Sequence, residues 1–506
     1  MKKNIAIIIL ITLFTKALGF VREIVLTYFF GATAISDVYL IAQTIPTTLF
    51  ALVGTGLATT FIPIFSKVET EEGEESALRF SSNVMNLVLV ICSVLILIVL
   101  IFTPQVVKVF ARGFRGETLS LAVTFTRISI FGIYFTSLVY ILNAYLQLKD
   151  EFIIPALISL PMNLVLIMFY AAASRFGNIL LGYGLFFSIL IQFVFILPSV
   201  MKNRFKYYAL LSHKNRYVRE MLILAVPVII GTSVNQLNVL VDKNIASTII
   251  EGGISALNYA DRLSGLVYGL FVIPIITVIF PTISKMVVEH NEEGMNKVVN
   301  ESLVSMGLLI IPASVGAMVL ARPIVEFLFL RGEFDVQAAV LTSQALFYYA
   351  ISMLAYGVRD VFTRVFYASN DTKTPTINGV VGVVTNIVLN LILSRFMGIA
   401  GLALATSISA IFTAVLLYRS LKKKSMELSF KSSLMKMIKI TGAALLMGAL
   451  AKFSYPVFLS KAGSSLGLIF SIVVAGALYL LLIWLFKIEE VEKLKDIVKN
   501  KLKNRK

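Results

Sequence analysis

The sequence predicts an all-α integral membrane protein of about fourteen transmembrane helices: two parallel six-helix repeats, followed by two further helices. Three observations lead there. Of 506 residues, 58% are hydrophobic and 14% charged, with a mean hydropathy of +0.89, whereas soluble domains carry about 25% charged residues. Apolar runs such as 87–102, 179–200 and 466–486 approach or exceed the roughly 20 residues needed to cross about 30 Å of hydrocarbon. The chain also repeats itself at an offset of about 220 residues.

Reading apolar runs against charged or Gly/Pro breaks places spans at 4–29, 37–65, 82–103, 119–147, 153–174 and 179–200. A second set falls at 221–249, 256–284, 299–320, 337–368, 376–394 and 399–418, and two more at 437–457 and 464–486. The first run follows Met-Lys-Lys but continues through Lys16 and Arg22 without a small-residue cleavage site, so it is expected to be retained as a span. The resulting organisation is an N-lobe (1–201), a linker (202–219), a C-lobe (220–420), two added helices (436–486) and a basic tail (487–506). Ile488, Val491, Leu494, Val498 and Leu502 give that tail the spacing of an amphipathic helix on the membrane surface.

Three marks carry the repeat. Phe61-Ile-Pro-Ile-Phe-Ser-Lys67 matches Ile279-Phe-Pro-Thr-Ile-Ser-Lys285, and a Glu-Glu-Gly follows each. Pro104 to Gly113 matches Pro323 to Gly332 at Pro, Val, Arg and Gly, and Asp150 with Pro155 parallels Asp371 with Pro375. Six spans per copy is an even number, so both copies share one orientation, the parallel-repeat architecture of transporters.

The net charge of +17 is spread between apolar runs and at the C-terminus, which suits anionic lipid headgroups and the positive-inside rule and gives no support for nucleic acid. With the 202–219 and 419–439 segments and the tail inside, both termini are cytoplasmic. Cys92 is the sole cysteine, and His213 and His290 lie far apart in polar connections, which leaves no basis for a disulfide framework, a thiolate metal site or a His-based triad.

Ionisable residues inside spans are costly and mark functional sites by default. The candidates for substrate contact are Lys16, Arg22 and Glu23 on span one, Asp37 at the head of span two, and Asp261 and Arg262 on span eight. The three cations could clamp an anionic group, Arg matching phosphate oxygens with its planar fork; the competing reading is that Arg22–Glu23 and Asp261–Arg262 neutralise charge structurally. Span ten adds Arg359, Asp360 and Arg364, for which headgroup snorkelling competes with substrate contact. Asn386 and Asn390 share a face of span eleven, Thr406 lies at similar depth on span twelve, and Asp242 supplies a carboxylate. This oxygen-only set suits Na⁺ as a coupling or structural ion, in competition with interhelical hydrogen bonding. No other cofactor is expected.

Ala17-Leu-Gly-Phe-Val-Arg-Glu23, Phe30-Gly-Ala-Thr-Ala-Ile-Ser-Asp37, Tyr259-Ala-Asp-Arg-Leu263, Leu330-Arg-Gly-Glu-Phe334 and the segment Arg364 to Pro375 together resemble the MurJ (MviN) lipid II flippase family, in the superfamily that also holds drug/cation antiporters and polysaccharide flippases. The resemblance implies two six-helix lobes around a cationic cavity, with two extra helices guiding a polyprenyl tail. It also implies a bacterial cytoplasmic-membrane location and a transporter without covalent chemistry. Its substrate would be lipid II or a related undecaprenyl-pyrophosphate-linked precursor, with cell-wall synthesis proteins as candidate partners. Arg22 and Arg262 match family cavity arginines, Lys16 stands where many members have Arg, and Glu23 where many have Asp. Asp242, Asn386, Asn390 and Thr406 match the family's sodium site, Asn390 standing where an acidic ligand can occur. A basic residue common in span two is absent, since Pro46 to Phe50 is uncharged. The rival functions are export of another polyprenyl-linked glycan, and drug/cation antiport, which calls for a carboxylate-rich cavity.

Overall fold

The computed structural model describes residues 2–212, 215–424 and 431–492, and all regular structure among them is helical. Two compact units emerge: one comprises 1–255 with 331–335, the other 256–330 with 336–506.

The first unit contains α1 (Lys2–Phe30), α2 (Ala34–Glu72), α3 (Glu74–Ile101), α4 (Thr103–Phe110), α5 (Gly116–Ser129), α6 (Gly132–Leu148), α7 (Ile153–Leu157), α8 (Ser159–Phe176), α9 (Ile179–Lys202) and α10 (Arg216–Ile249). The long helices follow from apolar composition: with no water in the hydrocarbon, each backbone polar group must bond within its own helix. Its core mixes aliphatic and aromatic side chains, and in it Phe61 of α2 stacks on Phe80 of α3 at 5.9 Å and Tyr145 of α6 meets Phe65 edge-on at 6.0 Å. Helix α10, which sequence places at the head of the C-lobe, packs along α2 and belongs to this unit.

The second unit takes most of α11 (Gly253–Val267), a π-helical segment (Tyr268–Val272), α12 (Ile273–Val288), α13 (Glu292–Val319), α14 (Ala321–Phe329), α15 (Val336–Ala368), α16 (Lys373–Met397), α17 (Ile399–Lys423) and α18 (Lys431–Leu485). A straight helix of 55 residues would run about 80 Å. Yet Lys436 reaches Glu489 at 2.7 Å, because the helix breaks at Gly463, whose φ of 78° is left-handed. The two arms therefore fold back on each other, and the expected spans 437–457 and 464–486 lie one on each arm.

Nine helices among the described residues are long and apolar enough to cross a membrane, or up to 11 if each of two bent pairs is one span. The expected count of about fourteen is larger because it takes α18 as two spans and includes α1 and α2, 29 and 39 residues long, over 4–29 and 37–65. Of the expected tail helix, Leu494, Val498 and Leu502 lie outside the described residues.

The internal repeat is visible in backbone conformation. Left-handed residues that end helices recur in pairs about 220 residues apart: Gly73 with His290, Asp150 with Asn370, and Gly177 with Gly398. After the second of these pairs, Asp371 caps α16 by accepting from the Thr374 N–H at 3.0 Å and its hydroxyl at 2.6 Å, and it also pairs with Lys424. Partial burial opposes ionisation there, but the bonds from Lys424 and Thr374 prevail and hold the carboxyl down at about 2.

Candidate functional site

The charged side chains of α1 divide sharply by environment. Lys16 is exposed, whereas Arg22 and Glu23 are 9% and 4% exposed. Arg22 donates through Nη2 to Glu23 and through Nη1 to Asn163 Oδ1 of α8 at 3.1 Å, while its buried Nε has no hydrogen-bond partner among the described residues. Next to this group the hydroxyls of Tyr39 (α2) and Tyr170 (α8) bond at 2.6 Å, both rings fully buried. In this conformation Arg22 is held in a polar network inside the first unit.

Asp37 is 2% exposed. Its Oδ2 accepts from the Gly252 N–H at 2.9 Å, and its Oδ1 accepts from the Ser255 N–H at 2.7 Å and the Ser255 hydroxyl at 2.6 Å. The carboxylate thus caps the first turn of α11, where unpaired N–H groups and the helix dipole favour negative charge. Ser36 Oγ joins Ser255 Oγ at 2.9 Å, and Glu251 accepts from the Ala34 N–H at 3.1 Å. The approach is close enough to demand glycine. A Cβ on Gly252 (φ 78°) would collide with the Ala32 carbonyl, and one on Gly332 (φ 59°) with the Tyr28 carbonyl. The Glu333 N–H meets that same Tyr28 oxygen at 3.0 Å. Beside this closure lies a cavity of about 740 Å³ bordered by Tyr28, Asn178, Glu117, Glu251 and Glu333, whose carboxylates disfavour an anion.

In the second unit, Asp261 and Arg262 are both exposed on α11. Asn386, Asn390 and Thr406 are brought together: Asn390 Nδ2 donates to Asn386 Oδ1 at 2.7 Å, and Asn386 Nδ2 to Thr406 Oγ1 at 3.3 Å. Asn386 and Asn390 are 2% and 0% exposed. Asp242 belongs to the first unit, where Asn238 donates to it at 3.3 Å. The amide and hydroxyl oxygens of Asn386, Asn390 and Thr406 suit a hard monovalent cation in kind, and a half-turn of either amide presents oxygen in place of N–H. No group of three or more His, Cys, Asp or Glu side chains suited to a metal ion occurs among the described residues.

Sequence reasoning passed over Asn163, Ser255, Lys243 and Tyr268. Lys243 of α10 donates to Thr44 Oγ1 and, at 3.4 Å, to the Leu40 carbonyl of α2. The usable signal was a polar or cationic residue within an apolar run; their partners lie from 92 to 218 positions away.

A family model described as lipid II flippase MurJ matches residues 26–474. The chain belongs to the MurJ lipid II flippase family. A relative in Vibrio cholerae, named "Probable lipid II flippase MurJ", is 31% identical over 432 residues, 83% of this chain and 82% of the relative. One of the same name in Thermotoga maritima is 27% identical over 96% of each chain. A solved lipid II flippase MurJ in an inward closed conformation superposes with a TM-score of 0.83 at 28% identity, covering 95% of this chain and 98% of that one. An inward-facing multidrug transporter of the MATE family shares the fold alone, with a TM-score of 0.71 at 14% identity over 81% of this chain and 95% of that one. The chain is thus a multi-pass membrane protein of a flippase family.

Proposed function

We propose that this chain moves lipid II from the cytoplasmic to the outer leaflet by alternating access. The observation that carries the reading is the presence, in a member of this family, of basic side chains within apolar helices of both units: Lys16 and Arg22 on α1, and Arg262 on α11. A diphosphate-linked headgroup needs such cations once it leaves water, since an isolated charge in a low-dielectric site is costly. Lys16 and Arg262 are exposed, and Arg22 would become available on leaving the Asn163–Glu23 network. No bond need be made or broken, so no nucleophile or general base is required. An inside-negative potential assists outward movement of a polyanion by about 2.3 kcal/mol per charge per 100 mV.

The proposal includes lobes at 1–201 and 220–420, a cytoplasmic linker at 202–219, a tail-guiding pair of helices at 436–486, and both termini in the cytoplasm. Anionic lipids and cell-wall synthesis proteins are the proposed partners. Asp242, Asn386, Asn390 and Thr406 are proposed to hold Na⁺, which would supply charge and fix the helices that bind it.

The deciding experiment measures lipid II translocation in vesicles containing the purified protein, beside complementation of a strain depleted of its own flippase. Arg262→Ala should reduce translocation at least tenfold at normal membrane abundance, and Asp261→Ala with Arg262→Ala should stay inactive. Folded wild-type protein that moves no lipid II would defeat the reading.

A further inference from the structure

The second unit holds another arrangement of charge, away from Arg262 and the Asn386 cluster. Pro274 has no N–H for the Leu270 carbonyl, and the helix absorbs the defect in the π turn just before it, closed by the Ile273 N–H on the Tyr268 carbonyl. Tyr268, at the start of that turn, donates its hydroxyl to Asp360 Oδ2 on α15. Asp360 Oδ1 in turn accepts from Arg359 Nε and Nη2, each at 3.3 Å. The Arg359 guanidinium also lies over the Tyr356 ring, 4.9 Å from its centroid.

Arg359 and Asp360 form an ion pair whose carboxylate has a second partner in Tyr268. Residues adjacent on a helix do not face one another; here Tyr268 turns Asp360, and Asp360 with Tyr356 then orients Arg359. The guanidinium is fixed on one edge and one face, but Nη1 makes no hydrogen bond among the described residues and the side chain is 36% exposed. Arg22, by contrast, is buried with Nη1 and Nη2 both engaged. An ordered fork with its outer end open is the form of arginine that takes phosphate oxygens with little further loss of entropy. Tyr268 lies six positions after Arg262, about 9 Å along the helix. Further along α15, Arg364 sits over the Phe280 ring at 5.1 Å.

We propose that Arg359 is a second phosphate-binding side chain for the lipid-linked diphosphate, and that Asp360 and Tyr268 are the positioning residues that present it. The proposal rests on the lipid II reading and names a further contact for the same headgroup.

The test is binding by the full-length protein in nanodiscs, with a short-chain polyprenyl diphosphate, the corresponding uncharged polyprenol and inorganic pyrophosphate as probes. Arg359→Ala should weaken the lipid diphosphate about tenfold or more, the range of one charge-assisted contact, and leave the polyprenol unchanged. Arg359→Lys should recover only part of the loss, because an ammonium has no fork. Tyr268→Phe, which keeps every charge but releases Asp360, should weaken the diphosphate about threefold, again without affecting the polyprenol. Arg359→Lys and Tyr268→Phe decide the matter if the alanine variant does not fold. Wild-type diphosphate affinity in folded Arg359→Ala, or in both other variants, overturns the proposal; if Arg262→Ala still loses binding, the transporter reading survives it. Equal loss for polyprenol would reduce Arg359 to a structural role. Inorganic pyrophosphate binding as tightly as the lipid would assign the site to a soluble anion and also overturn it. Absence of diphosphate binding by the wild type removes both readings together.

Discussion

Replacing Asp37 with Asn changes one atom and tests how firmly the carboxylate holds the start of α11. The carboxylate receives three hydrogen bonds, at 2.6, 2.7 and 2.9 Å. Asparagine keeps one oxygen for Ser255 but turns an N–H toward the Gly252 N–H, so one charge-assisted bond is lost and a buried donor is left facing another. Such a loss costs about 1.5–3 kcal/mol, and losing the negative charge at the helix start adds about 0.3–1 kcal/mol. Taking about 2 kcal/mol as the smaller total, release of the α11 start becomes about 30-fold more frequent. Ile254, 1% exposed in the same turn, reports it: with Cys92 replaced by Ala, Ile254→Cys should react with a polar maleimide about 30-fold faster when Asp37→Asn is added. The two helices would have to be held by other contacts if the labelling rates agreed within twofold in protein of matched folding.

Three further outcomes are expected. Asn386→Ala and Thr406→Ala should each abolish any rise in melting temperature that NaCl gives over choline chloride; equal wild-type melting in the two salts would leave the sodium proposal without support. Asp371→Asn should destabilise the protein by about 1 kcal/mol near neutral pH, the usual worth of a helix cap. Because the folded-state pKa lies below the ordinary value, that stability is present above about pH 4 and lost as pH falls through about 2, so unfolding of mutant and wild type should converge in acid, and a constant gap across that range would contradict the assignment. With Cys92 removed, Ser212→Cys should resist an impermeant thiol reagent in intact cells while Asn178→Cys reacts, and the reverse pattern would invert the proposed orientation.

Much of the architecture is legible in the sequence because lipid imposes a strong local rule. A backbone in hydrocarbon must be helical, so runs of apolar residues locate helices without knowledge of their neighbours. The repeat is legible for a related reason: helix ends need particular residues, and Asp150, Asn370, Gly177 and Gly398 take up left-handed conformations there. The fold-back at Gly463 follows likewise from a break between two apolar runs.

What each intramembrane charge touches was decided only by tertiary structure. Sequence places Arg22, Glu23 and Asp37 beside Lys16 and Arg262 as one class of costly residue, yet three are buried and two exposed. The difference comes from Asn163 on α8 and from Gly252 and Ser255 at the start of α11, more than a hundred positions away. Tyr268 and Asp360 are 92 positions apart and meet at a π turn, which no periodicity announces. Apolar burial acts on each residue separately and leaves its mark in local composition. A hydrogen bond requires two directed groups at one point, and only the packing of distant helices brings them there.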